Sequence, residues 1–241
     1  MARVVLVTGG TRGIGRAIAE RFWMSGDLVA ILFQKEHKLA SVWQREHAGT
    51  LAIQADVSQR SQVERAVGLI HQTWGKIQVL VNNAGIAQQK MFCDITPEDW
   101  KRMFAVHVDG VYHATQLVLP DMVERKAGSI VNITSMWGEV GASCEVHYSA
   151  AKAAVEGMTK ALAKELGPSG IRVNCVSPGV IHTEMNAQLG AADLAQLQEE
   201  TPLTRIGTPE EVAEAAYYLA GDGARFITGQ VLGVNGGFVI R

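Results

Sequence analysis

Cysteine is scarce in this chain of 241 residues, with only Cys93, Cys144 and Cys175. An odd, scattered set offers neither a disulfide framework nor the paired spacing of a metal site, and it suits a reducing compartment. A dominant charge is also missing. Lys and Arg number 22 against 24 Asp and Glu, a formal net charge of −2. That excludes the concentrated basic surface with which proteins hold nucleic acid or an anionic membrane. No apolar run reaches bilayer-spanning length, and the amino terminus enters a β-branched run without a cleavable leader. Repeats, linkers and low-complexity tracts are absent, and there are 6 prolines. What is present is apolar: 47% of residues, enough to build a sizeable buried core. A soluble, cytoplasmic, single domain over 1–241 is expected.

Short apolar runs alternate with helix-length amphipathic segments throughout. The pattern predicts strands at 3–8, 28–33, 50–54, 77–81, 129–134, 171–176 and 230–235. It predicts helices at 13–25, 36–47, 59–74, 97–125, 147–167 and 209–220. Such alternation implies an α/β fold, a doubly wound parallel sheet of about seven strands with helices on both faces. The segment 182–202 stands apart, with Met185, Leu189, Leu194 and Leu197 on the apolar faces of two short helices. It follows Pro178-Gly179 at a strand's carboxyl end, where open α/β sheets bind ligands, so it is expected to act as a flap over the substrate.

Two motifs carry chemistry. Directly after the first strand comes Gly9-Gly-Thr-Arg-Gly13-Ile-Gly15, opening a helix. Glycines allow a tight turn and close approach to a pyrophosphate, whose charge a helix N-terminus stabilises, so this loop points to nucleotide binding. The second motif is Ser135 followed by Tyr148-Ser-Ala-Ala-Lys152. Tyr148 and Lys152 share one face of a helix, and an ammonium beside a phenol lowers the phenol's pKa from about 10 toward working pH. The pair reads either as a proton donor to a carbonyl oxygen, which Ser135 also holds, or as a solvated helix face.

Taken together, these segments resemble the short-chain dehydrogenase/reductase family over essentially the whole chain. Thr8-Gly-Gly-Thr-Arg-Gly-Ile-Gly15 is similar to its cofactor loop and Asn82-Asn-Ala-Gly85 to its motif after the fourth strand. Ser135, Tyr148 and Lys152 are similar to its catalytic trio, and Pro178-Gly179-x-Ile181-x-Thr183 to its nicotinamide-side loop. The resemblance implies a Rossmann-type fold and cofactor contacts from Gly9, Thr11, Arg12, Gly13, Ile14, Gly15, Asp56, Val57, Asn83, Ala84, Gly85, Pro178, Gly179, Ile181 and Thr183. Tyr148 and Lys152 also contact the cofactor, since the family's lysine bonds the nicotinamide ribose. No metal is implied.

Cofactor choice is read at the end of the second strand, where NAD-selective sheets place a carboxylate. Here Phe33 stands at that position, no carboxylate repels a 2′-phosphate, and Arg12 and Lys35 are available to meet one, so NADP(H) is expected. One position departs from the family pattern. An Asn normally follows seven residues after a helical Trp and acts largely through its main-chain carbonyl; here Trp100 is followed by His107. Its imidazole either replaces the amide, making His107 a fourth catalytic residue, or simply packs between helices.

Specificity is expected from Ile86, Ala87, Met136, Trp137, the segment 144–147 and the flap. Overall the chain resembles the 3-oxoacyl-acyl-carrier-protein reductase branch, which implies a ketoreductase of fatty acid biosynthesis acting on a carrier-tethered or small ketone. Basic residues dock the acidic carrier in that branch. Here Ser129 and Ser169 occupy such places, with Arg125, Lys126 and Arg172 nearby in sequence. The run 135–148 resembles instead the elongation factor P 5-aminopentanone reductases, with Glu139 and Glu145 placed to attract an amine. A non-catalytic dinucleotide-sensing protein is the reading from another class. In the family that the chain resembles, the last strand and tail with the long helices build a symmetric tetramer, so the resemblance implies a homotetramer, the alternative being that the apolar run 227–240 folds back on its own core.

Overall fold

The computed structural model describes residues 2–184 and 190–240. The first strand, β1 (Val4–Thr8), is buried at every position and apolar up to Thr8 because both of its faces are covered. Val5 and Val7 join one core cluster, whereas Val4 and Leu6 join the other. The same alternation runs through β2 (Leu28–Phe33), β3 (Leu51–Gln54), β4 (Val79–Asn82), β5 (Gly128–Ile133) and β6 (Ile171–Pro178), whereas the more exposed β7 (Val231–Val234) packs only Val234 against the first cluster. These seven strands form one parallel sheet in the order β3-β2-β1-β4-β5-β6-β7.

Helices α1 (Gly13–Met24), α2 (His37–Glu46) and α3 (Arg60–Trp74) fill the first three crossovers. Then come α4 (Pro97–Phe104), α5 (Gly110–Arg125), α6 (Met136–Val140), α7 (Val146–Leu166), α8 (Ala191–Glu200) and α9 (Pro209–Ala220). One cluster buries Ile18 and Phe22 of α1 with Val212 and Leu219 of α9. The other buries Val67 of α3, Val118 of α5 and Leu166 of α7. The chain reverses direction across the sheet between β1 and β4, so the loops leaving those strands diverge and open a crevice at their carboxyl ends.

Two expectations change at the helices. The long helix expected at 97–125 is broken by a π-helical turn, Ala105–Asp109, which joins α4 to α5 and inserts His107 into the interior. In the segment 182–202, residues 185–189, with Met185 and Leu189, lie outside the described residues. The rest contains the single helix α8, on which Leu194 and Leu197 are half-buried.

Buried polar residues tie the sheet to its helices beneath the crevice. Asn82 and Asn132 are paired across β4 and β5, and Asn82 Nδ2 donates to Asn132 Oδ1 at 2.9 Å. Asn132 Nδ2 donates to Thr159 Oγ1 of α7 at 2.8 Å, and Thr159 Oγ1 donates to the Val155 carbonyl at 2.9 Å. Asn132→Leu would take one buried partner from each, leaving Asn82 Nδ2 with Thr115 and Thr159 with the Val155 carbonyl. It is expected to cost about 2 kcal/mol or more, read by urea unfolding against wild type.

Candidate active site

The crevice is a cleft of about 560 Å³ at the carboxyl ends of β1 and β4. Gly9, Thr11, Arg12, Gly13, Ile14, Gly15, Asp56, Val57, Asn83, Ala84, Gly85 and Thr183 line it. Its floor is drawn tight around missing side chains. A Cβ on Gly15 would lie 2.2 Å from the Gly9 carbonyl oxygen, and one on Gly9, at φ +68°, would lie 2.9 Å from Ala84 Cα. The Asn83 amide donates to the Thr8 and Gly9 carbonyls and fastens the two loops together. The cradle thus fits a pyrophosphate over the first turn of α1.

The adenosine end departs from expectation. Lys35 is exposed and is not part of the lining, whereas Phe33, Gln34 and Glu36 are. A carboxylate is therefore present after all: Glu36 lies 3.7 Å from Arg12, which also meets Glu184 at 2.9 Å. Its pairing with Arg12 arises only when the two loops fold together. Asp56 is held below the ordinary carboxylate range by hydrogen bonds from Ser58 and Gln34, despite the opposing pull of burial.

At the nicotinamide-side loop, Pro178 ends β6, and Gly179 packs so closely that a Cβ would meet Asn235 Cα at 2.7 Å. Ile181 turns its side chain into the core and borders a second cavity of about 420 Å³. That cavity lies between β7 and the segment 201–207.

Ser135, Tyr148 and Lys152 converge from two stretches, the end of β5 and the start of α7, beside the loop after β4. Ser135 follows β5 and caps α6, its Oγ accepting from the Trp137 amide at 3.2 Å. Tyr148 and Lys152 lie in the first two turns of α7, and the Tyr148 phenol interacts with the Ser135 hydroxyl. Lys152 is buried, with Nζ donating to the Ile133 carbonyl at 2.8 Å and standing 5.6 Å from the Tyr148 ring centre. The expected ammonium-driven acidification is not what this arrangement gives. Burial outweighs the Ser135 hydrogen bond and pushes the phenol up to about 12, while burial draws the Lys152 ammonium down to about 8. A neutral phenol beside a readily deprotonated lysine is the outcome.

His107 joins the trio to the cleft. Its ring meets Tyr148 edge-on at 5.3 Å, and its Nε2 lies 2.8 Å from the Ile86 carbonyl oxygen. Only a glycine at position 85 leaves room, since a Cβ there would lie 2.6 Å from His107 Cε1. Burial first, then the Lys152 charge, pushes the imidazole down to about 3. It is neutral in the native protein.

Around the mouth, Trp137 packs edge-on against Phe238 at 5.7 Å. Glu139 accepts from the Ser177 hydroxyl at 2.5 Å, and Glu145 accepts from Gln89 at 3.3 Å. The positions considered for carrier docking lie elsewhere. Ser129 and Arg172 are register partners at the amino ends of β5 and β6, opposite the catalytic end. Arg172 is committed to the carbonyls of Leu219 and Gly221. Among the described residues there is no cluster suited to a metal and no helix long and apolar enough to cross a membrane.

Sequence reasoning missed Gln88, Asp99, Arg102 and Glu184 on the cleft wall. Only the Thr96-x-x-Asp99 capping pattern could have drawn attention to one of them.

The family model described as Enoyl-(Acyl carrier protein) reductase matches residues 9–239. The 3-oxoacyl-acyl-carrier-protein reductase FabG of Thermotoga maritima is 38% identical, over 99% of this chain and 98% of its own. Acetoacetyl-CoA reductase of Rhizobium meliloti is 40% identical over 98% of each chain. A crystal structure of a short-chain dehydrogenase/reductase from Brucella melitensis superposes with a TM-score of 0.93 at 35% identity, covering 99% of this chain and 97% of that one.

A neutral buried imidazole has a measurable cost. Between pH 6.5 and 3 the unfolded chain takes up a proton that native His107 refuses, so stability falls as pH falls. His107→Asn removes that loss. In urea titrations between pH 6.5 and 4 the variant should lose less stability than wild type, by up to about 1.4 kcal/mol for each pH unit crossed.

Proposed function

The chain belongs to the short-chain dehydrogenase/reductase family, and from that premise we propose an NADP(H)-dependent ketoreductase that turns a ketone into a secondary alcohol. The observation that carries this reading is the placement of the Tyr148 phenol beside Ser135, with Lys152 buried behind it. Residues of the glycine loop, Asp56, Val57 and Asn83–Gly85 would hold the dinucleotide. When bound there, the reduced nicotinamide supplies a hydride to the substrate carbon. Tyr148 donates its proton to the substrate oxygen as negative charge develops, and the Ser135 hydroxyl donates a hydrogen bond to the same atom. Lys152, with its pKa brought near working pH, returns a proton to Tyr148.

The 2′-phosphate preference rests on Arg12, the permanent cation that faces the cleft beside Phe33. Glu36 and Glu184 hold that guanidinium in place, and a phosphate would take it over from them. The sensing alternative has little support, because a protein that only binds dinucleotide has no use for the assembled trio. Exposed Trp100, Tyr112 and Val123 on α4 and α5, and Phe226 and Leu232 beside and on the edge strand β7, support a homotetramer. One domain, the flap at 182–202 and a cytoplasmic setting belong to the same reading.

The relatives' names support a 3-oxoacyl thioester as substrate. With such a thioester, turnover by wild type should be faster with NADPH than with NADH. Tyr148→Phe should lower kcat by at least ~10²-fold with little change in dinucleotide affinity. Near-normal turnover by that variant would refute the assignment.

A second substrate reading is an amine-bearing ketone, such as 5-aminopentanone-modified elongation factor P. Glu145 favours it: this half-buried carboxylate is close enough to Tyr148 to raise the phenol's pKa. On this reading Glu145→Gln lowers kcat/KM for an amino-ketone about tenfold or more and leaves a neutral ketone unchanged. Equal effects on both substrates would exclude it.

A further inference from the structure

A chain of polar side chains runs from the protein surface to the residue that precedes Tyr148. Lys90 Nζ donates to Asp99 Oδ2 at 2.6 Å, and Gln88 Nε2 donates to Asp99 Oδ1 at 2.8 Å. His147 Nε2 lies 2.9 Å from Gln88 Oε1. Asp99 is itself fixed, because the Thr96 amide and hydroxyl both donate to its Oδ2 at 3.1 Å and close the capping box of α4. Three segments of the site meet in this chain: the loop after β4, the first turn of α4 and the first turn of α7.

The chemistry of the partners fixes the protons. A carboxylate only accepts, so Gln88 must turn its NH₂ toward Asp99 and its carbonyl oxygen toward His147. An amide oxygen also only accepts, so His147 carries its proton on Nε2 and keeps the lone pair on Nδ1. The His147 side chain is fully buried, and its Nδ1 has no protein partner. No side chain caps α7, since Glu145 at the N-cap position makes no such bond. The Nε2–H bond to Gln88 thus ties the turn that carries Tyr148 to the loop after β4, while the Ala142 amide, donating to Ser149 Oγ at 3.2 Å, ties the same turn to the segment before it.

We propose that His147 is a positioning residue that acts through Tyr148, held in its Nε2–H tautomer by Gln88 and Asp99. The chain fixes the first turn of α7 and with it the direction of the phenol. This deepens the reading of Tyr148 as proton donor and rests on it.

Substitutions at His147 separate a positioned donor from mere packing. His147→Gln keeps an N–H near the place of Nε2, His147→Asn places its amide nearer Nδ1, and His147→Phe keeps the ring without nitrogen. Expected are kcat within about threefold of wild type for His147→Gln and a loss of at least tenfold for the other two. KM for the ketone and dinucleotide Kd should shift less than threefold throughout. Equal losses in all three variants, or none in any, would overturn the proposal. Nitrogen-15 NMR of wild type supplies a measurement that needs no variant to fold: the His147 ring should show a protonated Nε2 and a bare Nδ1, and the opposite tautomer would overturn the chain. Failure of the underlying reading looks different, because Tyr148→Phe would then keep its turnover whatever the His147 results.

Discussion

A buried ammonium is the constraint around which the site is organised. Lys152 is removed from water and compensated by the Ile133 carbonyl at the end of β5. Desolvation of a charge is expensive, so the protein lowers its pKa and leaves its neighbours uncharged. The Tyr148 phenol keeps its proton and the His107 imidazole refuses one for the same reason. Three titratable groups thus meet in one interior place with only one of them charged at neutral pH. On the proposed reading, Tyr148 holds its proton until negative charge develops on the substrate oxygen.

Parallel strands supply the geometry. Every strand ends at the same edge of the sheet, so the glycine loop after β1, the Asn83 loop after β4 and Ser135 after β5 arrive together without long excursions. Close packing then sets the tolerances. The missing side chain at Gly15 lets two loops touch, and the missing one at Gly85 admits the His107 ring. A π-turn between α4 and α5 gives that ring its inward direction.

Legibility in the sequence tracked the range of the interactions. All seven strands were readable as short, mainly apolar runs between turn signals, and the Ser135, Tyr148 and Lys152 motif was readable from spacing. The five-residue α6 was not, since it is shorter than two turns and has no period to detect. The π-turn escaped because its register depends on how His107 fits against Gly85, a residue far away along the chain. Arg172 looked available for a partner, yet two carbonyls at the end of α9 consume its guanidinium.

Local chemistry therefore determined the class of fold, the glycine cradle and the Ser135/Tyr148/Lys152 motif, because periodicity and fixed spacing are written along the chain. Only the tertiary structure decided the charge states of Tyr148, Lys152 and His107, since desolvation depends on everything packed around a group. It also decided that Glu36 and Glu184 hold Arg12, and that Asp99 reaches His147 through Gln88. These are contacts between segments far apart in sequence, and no local pattern encodes them.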